Sequence, residues 1–146
     1  MIENLLEIHS FEGLGYKPLI DYGTWRVAVL RYIDDLIPNQ IERAERHNET
    51  DEVFVLLDGK AVLFNGEGDQ QITALHPQVL RPGKMYNVKR HTWHTVVLSK
   101  DASILLVENQ DTGEANSDYA ALNAGCKRTI IETAAQEQPE FWSNSS

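Results

Sequence analysis

The amino-acid sequence predicts an all-β fold, either a sandwich or a barrel. Short runs rich in β-branched and aromatic residues recur along the middle of the chain, and turn residues separate them at near-regular spacing. The clearest two runs flank Asp58-Gly59, and an Asp-Gly dipeptide between apolar runs is typical of a two-residue hairpin turn. Many short strands joined by tight turns are typical of packed antiparallel sheets or of a closed barrel.

The predicted strands occupy the middle of the chain. The first is rich in aromatic and β-branched residues, and a loop that contains Pro38 separates it from the second. Turns rich in Gly, Asp and Pro separate most of the later strands. In chain order, strands are predicted for residues 25–33, 41–47, 52–57, 60–64, 71–75, 78–81, 85–88, 93–98 and 102–108.

The two ends of the chain are predicted to form short elements around this β core. Residues 1–12 are expected to form a short helix, with Leu5, Leu6 and Ile8 on its apolar side. After residue 109 the composition becomes polar. There we expect one or two helical turns over residues 118–122, a late strand over residues 129–131 and a helix over residues 132–137.

The length of 146 residues suits a single domain with its own hydrophobic core. We expect that domain to span residues 1–146, with a core of about residues 22–110 on which the N-terminal segment and the C-terminal extension pack.

Charge and cysteine content narrow the function classes. The net charge of −9 disfavours nucleic acid and anionic membranes as partners, because both repel an acidic surface. The single cysteine, Cys126, excludes an intramolecular disulfide and fits a reducing compartment. The N-terminus lacks the pattern of a signal peptide, and no segment approaches the roughly 20 apolar residues of a membrane span. We therefore expect a soluble, cytoplasmic protein.

The first chemically informative segment lies just before the third predicted strand. Glu45 and His47 are two residues apart, so both point to one face of an extended segment. The polar turn of residues 48–51 interrupts the strand and can return Glu52 to the same side. The three side chains could therefore share a metal ion.

A second segment adds another imidazole. On a strand, His94 and Val96 share one face, whereas the neighbouring residues share the other. His91 is three residues before His94 and points the opposite way unless the chain turns between them. His94 is therefore the better inward candidate, and His91 is expected at the mouth of the strand.

At these residues the chain resembles the cupin superfamily. The first cupin motif is a His-x-His pair, then three or four residues, a Glu, six residues and a Gly. Here Glu45 and His47 occupy the paired positions, Glu52 is the carboxylate, and Gly59 ends the motif. The resemblance implies a double-stranded β-helix, or jelly-roll barrel, with short flanking helices.

The second cupin motif is matched in part. Gly83 fits its opening glycine and His94 fits its histidine, whereas Lys89, His91 and Leu98 replace the Pro, Gly and Asn of the family. Together the two motifs extend the resemblance over about residues 45–98.

The resemblance implies that Glu45, His47, Glu52 and His94 line one end of the barrel and bind a divalent metal ion. Imidazole and carboxylate ligands suit Mn, Fe, Zn or Ni. Glu45 replaces the usual first histidine, which gives two nitrogen and two oxygen ligands and favours Mn or Fe over Cu. Glu45 could instead stay unligated and act as a general base, so Glu45 and Glu52 are the candidate catalytic residues.

Three functions stay open at this point. The first is a metal-dependent isomerase, lyase or dioxygenase that acts on a small polar metabolite. Residues 87–94 are also similar to the segment that precedes the Trp-His pair of ureidoglycolate lyases, which are cupin-like. The second is a non-catalytic small-molecule-binding barrel, and the third is a cupin that has lost its metal and uses its histidines and a carboxylate for acid–base isomerisation.

Partners are expected to be a small molecule and a second copy of the chain. Four cations in an otherwise acidic sequence could attract a carboxylate-bearing substrate to the site mouth or could be solvated loop residues; they are Arg81, Lys84, Lys89 and Arg90. A homodimer is expected because open barrels leave sheet edges to be covered, for which the N-terminal segment and residues 129–131 could serve.

Overall fold

The structure is a computed structural model, and it describes residues 4–137. This part of the chain contains ten strands and one α-helix. The elements are β1 (Tyr16–Tyr22), β2 (Trp25–Arg31), β3 (Arg43–His47), β4 (Glu52–Asp58), β5 (Ala61–Glu67), β6 (Ala74–Val79), β7 (Tyr86–Val88), β8 (Trp93–Leu98), β9 (Ser103–Asn109), β10 (Ser117–Ala121) and α1 (Ala124–Glu137), with short 3-10 turns at Asp34–Leu36 and Glu114–Asn116.

The strands form two five-stranded antiparallel sheets. Sheet A has the order β1-β2-β9-β4-β7, and sheet B has the order β10-β3-β8-β5-β6. The chain changes sheets at every connection between successive strands except β1–β2 and β5–β6. The expected all-β jelly-roll architecture is confirmed.

Hydrophobic side chains fill two layers. One layer lies between the sheets and includes Phe54 of β4, Leu63 of β5 and Leu106 of β9. The other lies between sheet B and α1 and includes Phe64 of β5 and Ile130 of α1. Leu63 and Phe64 are neighbours on one strand and face opposite layers, as the two-residue period of a strand requires. Sheet B is therefore buried on both faces, and α1 covers its outer side.

The predicted hairpin at Asp58-Gly59 is wrong, although both of its strands exist. β4 pairs with β7 and β9, whereas β5 pairs with β6 and β8, so the turn is the corner at which the chain changes sheets. Gly59 has a φ of 72°, and a Cβ added there would lie 2.6 Å from the Cα of Ala102. The corner therefore requires glycine for both its conformation and the close backbone approach.

Predictions for the terminal segments fail where tertiary contacts decide the structure. Residues 118–122 were expected to be helical, but Ser117–Ala121 forms β10 because it pairs with the edge of β3. The predicted strand over residues 129–131 lies inside α1, where Ile130 is buried against sheet B. The helix over residues 132–137 is confirmed as the second half of α1.

The N-terminal prediction is also wrong within the described residues. Residues 6–12 form neither helix nor strand, and a short isolated helix is marginal in water without a surface to pack on. Residues 1–3 of that prediction lie outside the described residues. Among residues 4–137, no helix has the length and apolar character needed to cross a membrane.

Candidate metal centre

A cavity of about 570 Å³ lies between the two sheets and opens at one end. β3 and β8 of sheet B and β4 and β9 of sheet A contribute the histidines and buried carboxylates of this cavity. Its apolar wall comes from residues of both sheets and of the β2–β3 segment, namely Leu30, Leu36, Ile41, Phe54, Val96 and Leu106. The cavity therefore combines a polar cluster with an apolar wall.

Glu52 lies at the centre of the polar cluster. Its Oε1 atom is 3.2 Å from Nε2 of His47 and 3.1 Å from Nε2 of His94. All three side chains are buried. The turn over residues 48–51 returns Glu52 to the side of His47, and His94 points inward from β8. The structure brings together these three of the four candidate ligands that the sequence singled out.

Glu45 lies at the outer side of the same cluster. It pairs with His94 in the register of β3 and β8. Its Oε1 atom is 3.9 Å from Nε2 of His47 and 4.0 Å from Nε2 of His94, and its side chain is 40% exposed. Glu45 is therefore the fourth donor of the cluster and the one most accessible to solvent.

Hydrogen bonds on the far side of each ring orient the two imidazoles. Nδ1 of His94 donates to the carbonyl oxygen of Thr92 at 3.0 Å, because a carbonyl can only accept. Nδ1 of His47 lies 2.8 Å from the hydroxyl oxygen of Ser117 on β10. Both contacts turn the Nε2 atoms toward Glu52. Such contacts behind a histidine are what a metal ligand of this type ordinarily has.

The electrostatics of the cluster keep Glu52 ionised. Burial opposes its negative charge, but hydrogen bonds from His47 and His94 outweigh burial and hold the pKa of the Glu52 carboxyl well below its usual range. Burial likewise opposes charge on the two imidazoles, yet the contact with Glu52 raises the pKa of His47 and of His94. Between Glu52 and the two imidazoles, the protons therefore sit on the imidazoles.

The structure adds a buried carboxylate that sequence reasoning missed. Glu108 of β9 has a donor oxygen within 4.8 Å of donor atoms of His47 and Glu52. Burial and the neighbouring Glu52 raise the pKa of Glu108 to about 8. A sequence signal existed, because Glu108 follows Ile104 and Leu106 at two-residue spacing and therefore shares their inward face.

Tyr16 of β1 contacts this additional carboxylate. The Tyr16 hydroxyl donates to Oε2 of Glu108 at 2.7 Å. Burial and this contact raise the pKa of Tyr16. The sequence carried no comparable signal for Tyr16, because β1 itself was not predicted.

Comparison with solved structures finds neighbours of low sequence identity. DMSP lyase DddQ from Ruegeria pomeroyi DSS-3 superposes with a TM-score of 0.50 at 15% identity, over 71% of this chain and 50% of the lyase. A cupin superfamily protein from Desulfitobacterium hafniense DCB-2 gives a TM-score of 0.47 at 17% identity, over 74% of this chain and 86% of that protein. A cupin-2 domain containing protein from Shewanella frigidimarina NCIMB 400 gives 0.44 at 16% identity, over 75% and 89%. No protein-family model and no curated protein matches the chain.

Two facing antiparallel sheets, between which the chain crosses repeatedly, define a jelly-roll fold, and the superposition on DddQ supports it. The two sequence motifs lie where they meet in that fold, since β3 and β4 carry the first and β8 carries the histidine of the second.

One departure from the cupin motifs is visible in the backbone. His91 stands where the second cupin motif has glycine, and its φ is 69°. Its side chain is exposed, and Nδ1 lies 3.1 Å from Oδ1 of Asn48. His91 therefore lies in the turn before β8 and is not among the residues that line the cavity.

The four cations singled out in the sequence do not line the cavity between the sheets. All four, Arg81, Lys84, Lys89 and Arg90, are exposed and lie elsewhere on the surface. Among residues 4–137, Arg43 of β3 lines the cavity, and no other Lys or Arg does. Its guanidinium lies 4.1 Å from the ring centroid of Tyr119. Positive charge at the cavity thus comes from a residue that sequence reasoning did not single out.

Proposed function

We propose that the protein is a metal-dependent cupin enzyme that acts on a small polar metabolite by isomerase, lyase or oxygenase chemistry. One observation carries the proposal: a buried carboxylate, Glu52, is held between the Nε2 atoms of two inward-facing imidazoles at a cavity of about 570 Å³. Buried ionisable groups with strongly shifted pKa values concentrate at functional sites. A cavity that only bound an apolar molecule would need no such cluster.

Each imidazole–carboxylate pair of the donor set has a spacing that suits a shared divalent ion. Two ligands with bonds of about 2.1 Å to the same ion lie roughly 3.0 to 4.2 Å apart, depending on the angle between them. The four distances from the imidazole Nε2 atoms to the carboxylate Oε1 atoms lie between 3.1 and 4.0 Å. His47, His94, Glu52 and Glu45 would therefore hold the ion, and their mixed nitrogen and oxygen donors suit Mn, Fe, Zn or Ni.

The chain's own residues supply positioning and proton transfer. A bound ion would polarise an oxygen of the substrate as a Lewis acid. Glu45 is the better proton carrier of the two candidate carboxylates, because it is partly exposed whereas Glu52 is engaged by both imidazoles. Glu45 therefore serves either as the fourth ligand or as the general base.

The cavity supports a substrate that has both a polar and an apolar part. The polar cluster faces an apolar wall that includes Phe54 and Leu106. Arg43 offers a positive charge beside Tyr119 and could pair with a carboxylate of the substrate. A small carboxylate-bearing metabolite with a short apolar portion meets these three requirements.

A second function, metal-free binding or acid–base chemistry, is favoured by a different observation. Glu52 accepts hydrogen bonds from both imidazoles, so the cluster satisfies its own buried charge without a further cation. A cupin of this kind would bind its ligand with His47 and His94 protonated.

Metal analysis separates the two functions. Protein purified without an affinity tag should carry or take up close to one Mn, Fe, Zn or Ni ion per chain. His47→Ala and His94→Ala should lose this ion, whereas the exposed His76→Ala should retain it. A wild-type protein that takes up none of the four ions at stoichiometric amounts would contradict the metal centre.

Ligand screening then tests the enzyme proposal. Small carboxylates should raise the unfolding temperature of the metal-loaded protein, and Arg43→Ala should reduce that shift. Compounds that bind are then incubated with the protein, and conversion is followed by NMR. Binding without conversion of any of them would favour the non-catalytic barrel.

A further inference from the structure

The polar cluster contains two overlapping sets of potential metal donors. The first set is Glu45, His47 and His94, which come from sheet B alone. The second set is His47, Glu52 and Glu108, and it extends across the cavity to sheet A. In each set the donor atoms lie within 4.8 Å of one another, and His47 belongs to both. A single ion near His47 would therefore have donors on both sheets.

Tyr16 fixes the orientation of Glu108. Its hydroxyl donates to Oε2 of Glu108 at 2.7 Å and so occupies one of the two carboxylate oxygens. Glu108 also lies beside Glu52 and His47, with a donor oxygen within 4.8 Å of their donor atoms. Because Glu108 is only 6% exposed, the partners of its carboxyl group have to be cavity groups or a bound ion rather than bulk water.

The grouping of acidic side chains makes a cation a fitting partner. Glu52 and Glu108 are buried carboxyl groups with donor atoms within 4.8 Å of each other, and Glu45 adds a third acidic group beside the same imidazoles. Two buried carboxyl groups at this separation can both be ionised only if a cation lies between them. A structural role for the Tyr16–Glu108 hydrogen bond would explain the contact between β1 and β9, but it would not explain why a second carboxylate lies next to Glu52.

We propose that Glu108, positioned by Tyr16, is a fifth protein ligand of the metal centre; the inference rests on the proposed metal centre. The donor set then has two imidazole nitrogens and oxygens from three carboxylates. Such a set favours ions that accept five or six hard ligands, Mn(II) or Fe(II), over Zn(II) in its usual four-coordinate form. Glu108 is a binding residue here, and Tyr16 is a positioning residue.

Metal affinity and Co(II) absorption spectra test the inference. Mn(II) binding is measured by titration calorimetry on the full chain, and Co(II) reports coordination number through the intensity of its visible bands. Glu108→Gln should weaken Mn(II) binding by about 100-fold and shift Co(II) toward the more intense bands of lower coordination. Tyr16→Phe should weaken Mn(II) binding by about tenfold, as is usual for groups that hold a ligand in place. Asp35→Asn removes an exposed carboxylate of the same cavity and should change the affinity less than about twofold.

The outcomes separate this inference from the proposed function. If the wild-type protein binds neither ion, the metal centre and the fifth ligand both fail. If the wild type binds Mn(II) and both Glu108→Gln and Tyr16→Phe bind it within about twofold of wild type with an unchanged Co(II) spectrum, the fifth ligand alone fails. Circular dichroism shows whether each variant is folded. If Glu108→Gln does not fold, Tyr16→Phe still tests the inference.

Discussion

His91 adopts a backbone conformation that usually favours glycine. Its φ of 69° lies in the left-handed region, where a side chain costs about 1–2 kcal/mol and β-branched residues fit worst. Its backbone N–H donates to the carbonyl oxygen of His47 at 2.8 Å, which fixes the turn before β8 against the first motif. The strained conformation thus connects the two segments that carry the candidate metal ligands.

Substitution of His91 should therefore depend on backbone preference. His91→Gly should keep stability within about 1 kcal/mol of wild type, because glycine adopts this φ freely although it loses the side-chain contact with Asn48. His91→Val should be about 1–2 kcal/mol less stable than His91→Gly. Urea unfolding followed by fluorescence measures both, and equal stabilities would contradict a role for the backbone.

The acidic cluster should make stability depend on pH. Glu108 keeps its proton in the folded state up to about pH 8, whereas the unfolded chain releases it near the ordinary value of 4.5. The folded state therefore binds more protons between these values, and the free energy of unfolding falls as the pH rises. His47 and His94 act in the same direction, since their raised pKa values add stability below pH 6.5 that is lost as the pH rises through the folded values.

Glu52 contributes at the other end of the pH range. Its lowered pKa adds stability that is present above its ordinary value of 4.5 and is lost only in stronger acid. With EDTA present, the unfolding temperature should therefore be highest near about pH 5–6 and fall toward pH 8. Glu108→Gln should make that fall shallower. A flat or rising profile from pH 6 to pH 8 would contradict the assignment of these protons.

At the scale of elements, a carboxylate joins the two turns that carry the motifs. Asp51 precedes β4, and its Oδ1 accepts the backbone N–H of Arg90 at 2.8 Å while Oδ2 accepts the side-chain amide of Asn87 at 3.1 Å. The Arg90 N–H and the Asn87 amide lower the pKa of the Asp51 carboxyl. The turn before Glu52 is thereby tied to the segment before His94.

Loss of this contact should affect metal binding at a distance. Asp51→Ala should lower stability by about 1 kcal/mol and Mn(II) affinity by about tenfold, because the two turns can then shift relative to each other. Glu49→Ala is the matched control, since it removes a neighbouring exposed carboxylate whose residue contributes only its backbone carbonyl to Asn109. Equal Mn(II) affinities of the two variants, measured by calorimetry, would show that Asp51 does not position the site.

Local sequence patterns predicted most strands but not their partners. β8 and β9 were predicted because apolar residues cluster there, and His94 was placed inward by the two-residue period. The partners of β4 and β5 depend on contacts far apart in sequence, so the Asp58-Gly59 turn was read as a hairpin. Edge strands were hardest to predict. β1 contains Pro18, which an edge strand tolerates, and β10 is extended because it pairs with β3.

For the candidate site, too, the residues within local motifs were predicted, and the residues that sheet order brings to the cavity were not. Glu45, His47, Glu52 and His94 lie within the two motifs, and spacing alone brings three of them into one segment. Glu108 and Arg43 reach the cavity from strands whose positions depend on sheet order. No local pattern places them beside His47 or Tyr119. Of the two alternatives for the loop cations, the structure agrees with solvated loop residues, because all four are exposed and lie away from the cavity.

At the scale of the whole molecule, the N-terminal segment exposes a row of apolar side chains. Leu5 is 88% exposed, Ile8 is 84% exposed and Leu14 is 72% exposed, and this segment leads into β1, the edge strand of sheet A. Exposed apolar surface costs roughly 25 cal/mol per Å² relative to burial. An edge strand also offers unpaired backbone groups. Both features favour burial against another chain.

We therefore expect a homodimer in which the N-terminal segment contacts the second copy. Of the other stretch considered for this role, Ile130 is already buried inside the molecule, and only Ile131 on α1 is exposed. For the wild type, light scattering after gel filtration should give twice the mass of a single chain, which is 16.6 kDa. The double substitution Leu5→Asp and Ile8→Asp should give a folded monomer, because each buried aspartate would cost more than the leucine or isoleucine contributes. Glu7→Gln, in the same segment, should stay dimeric.

Two outcomes would contradict this prediction. A monomeric wild type would overturn the dimer. A dimer in the double variant would place the contact on another surface, for which Ile131→Asp is the next test.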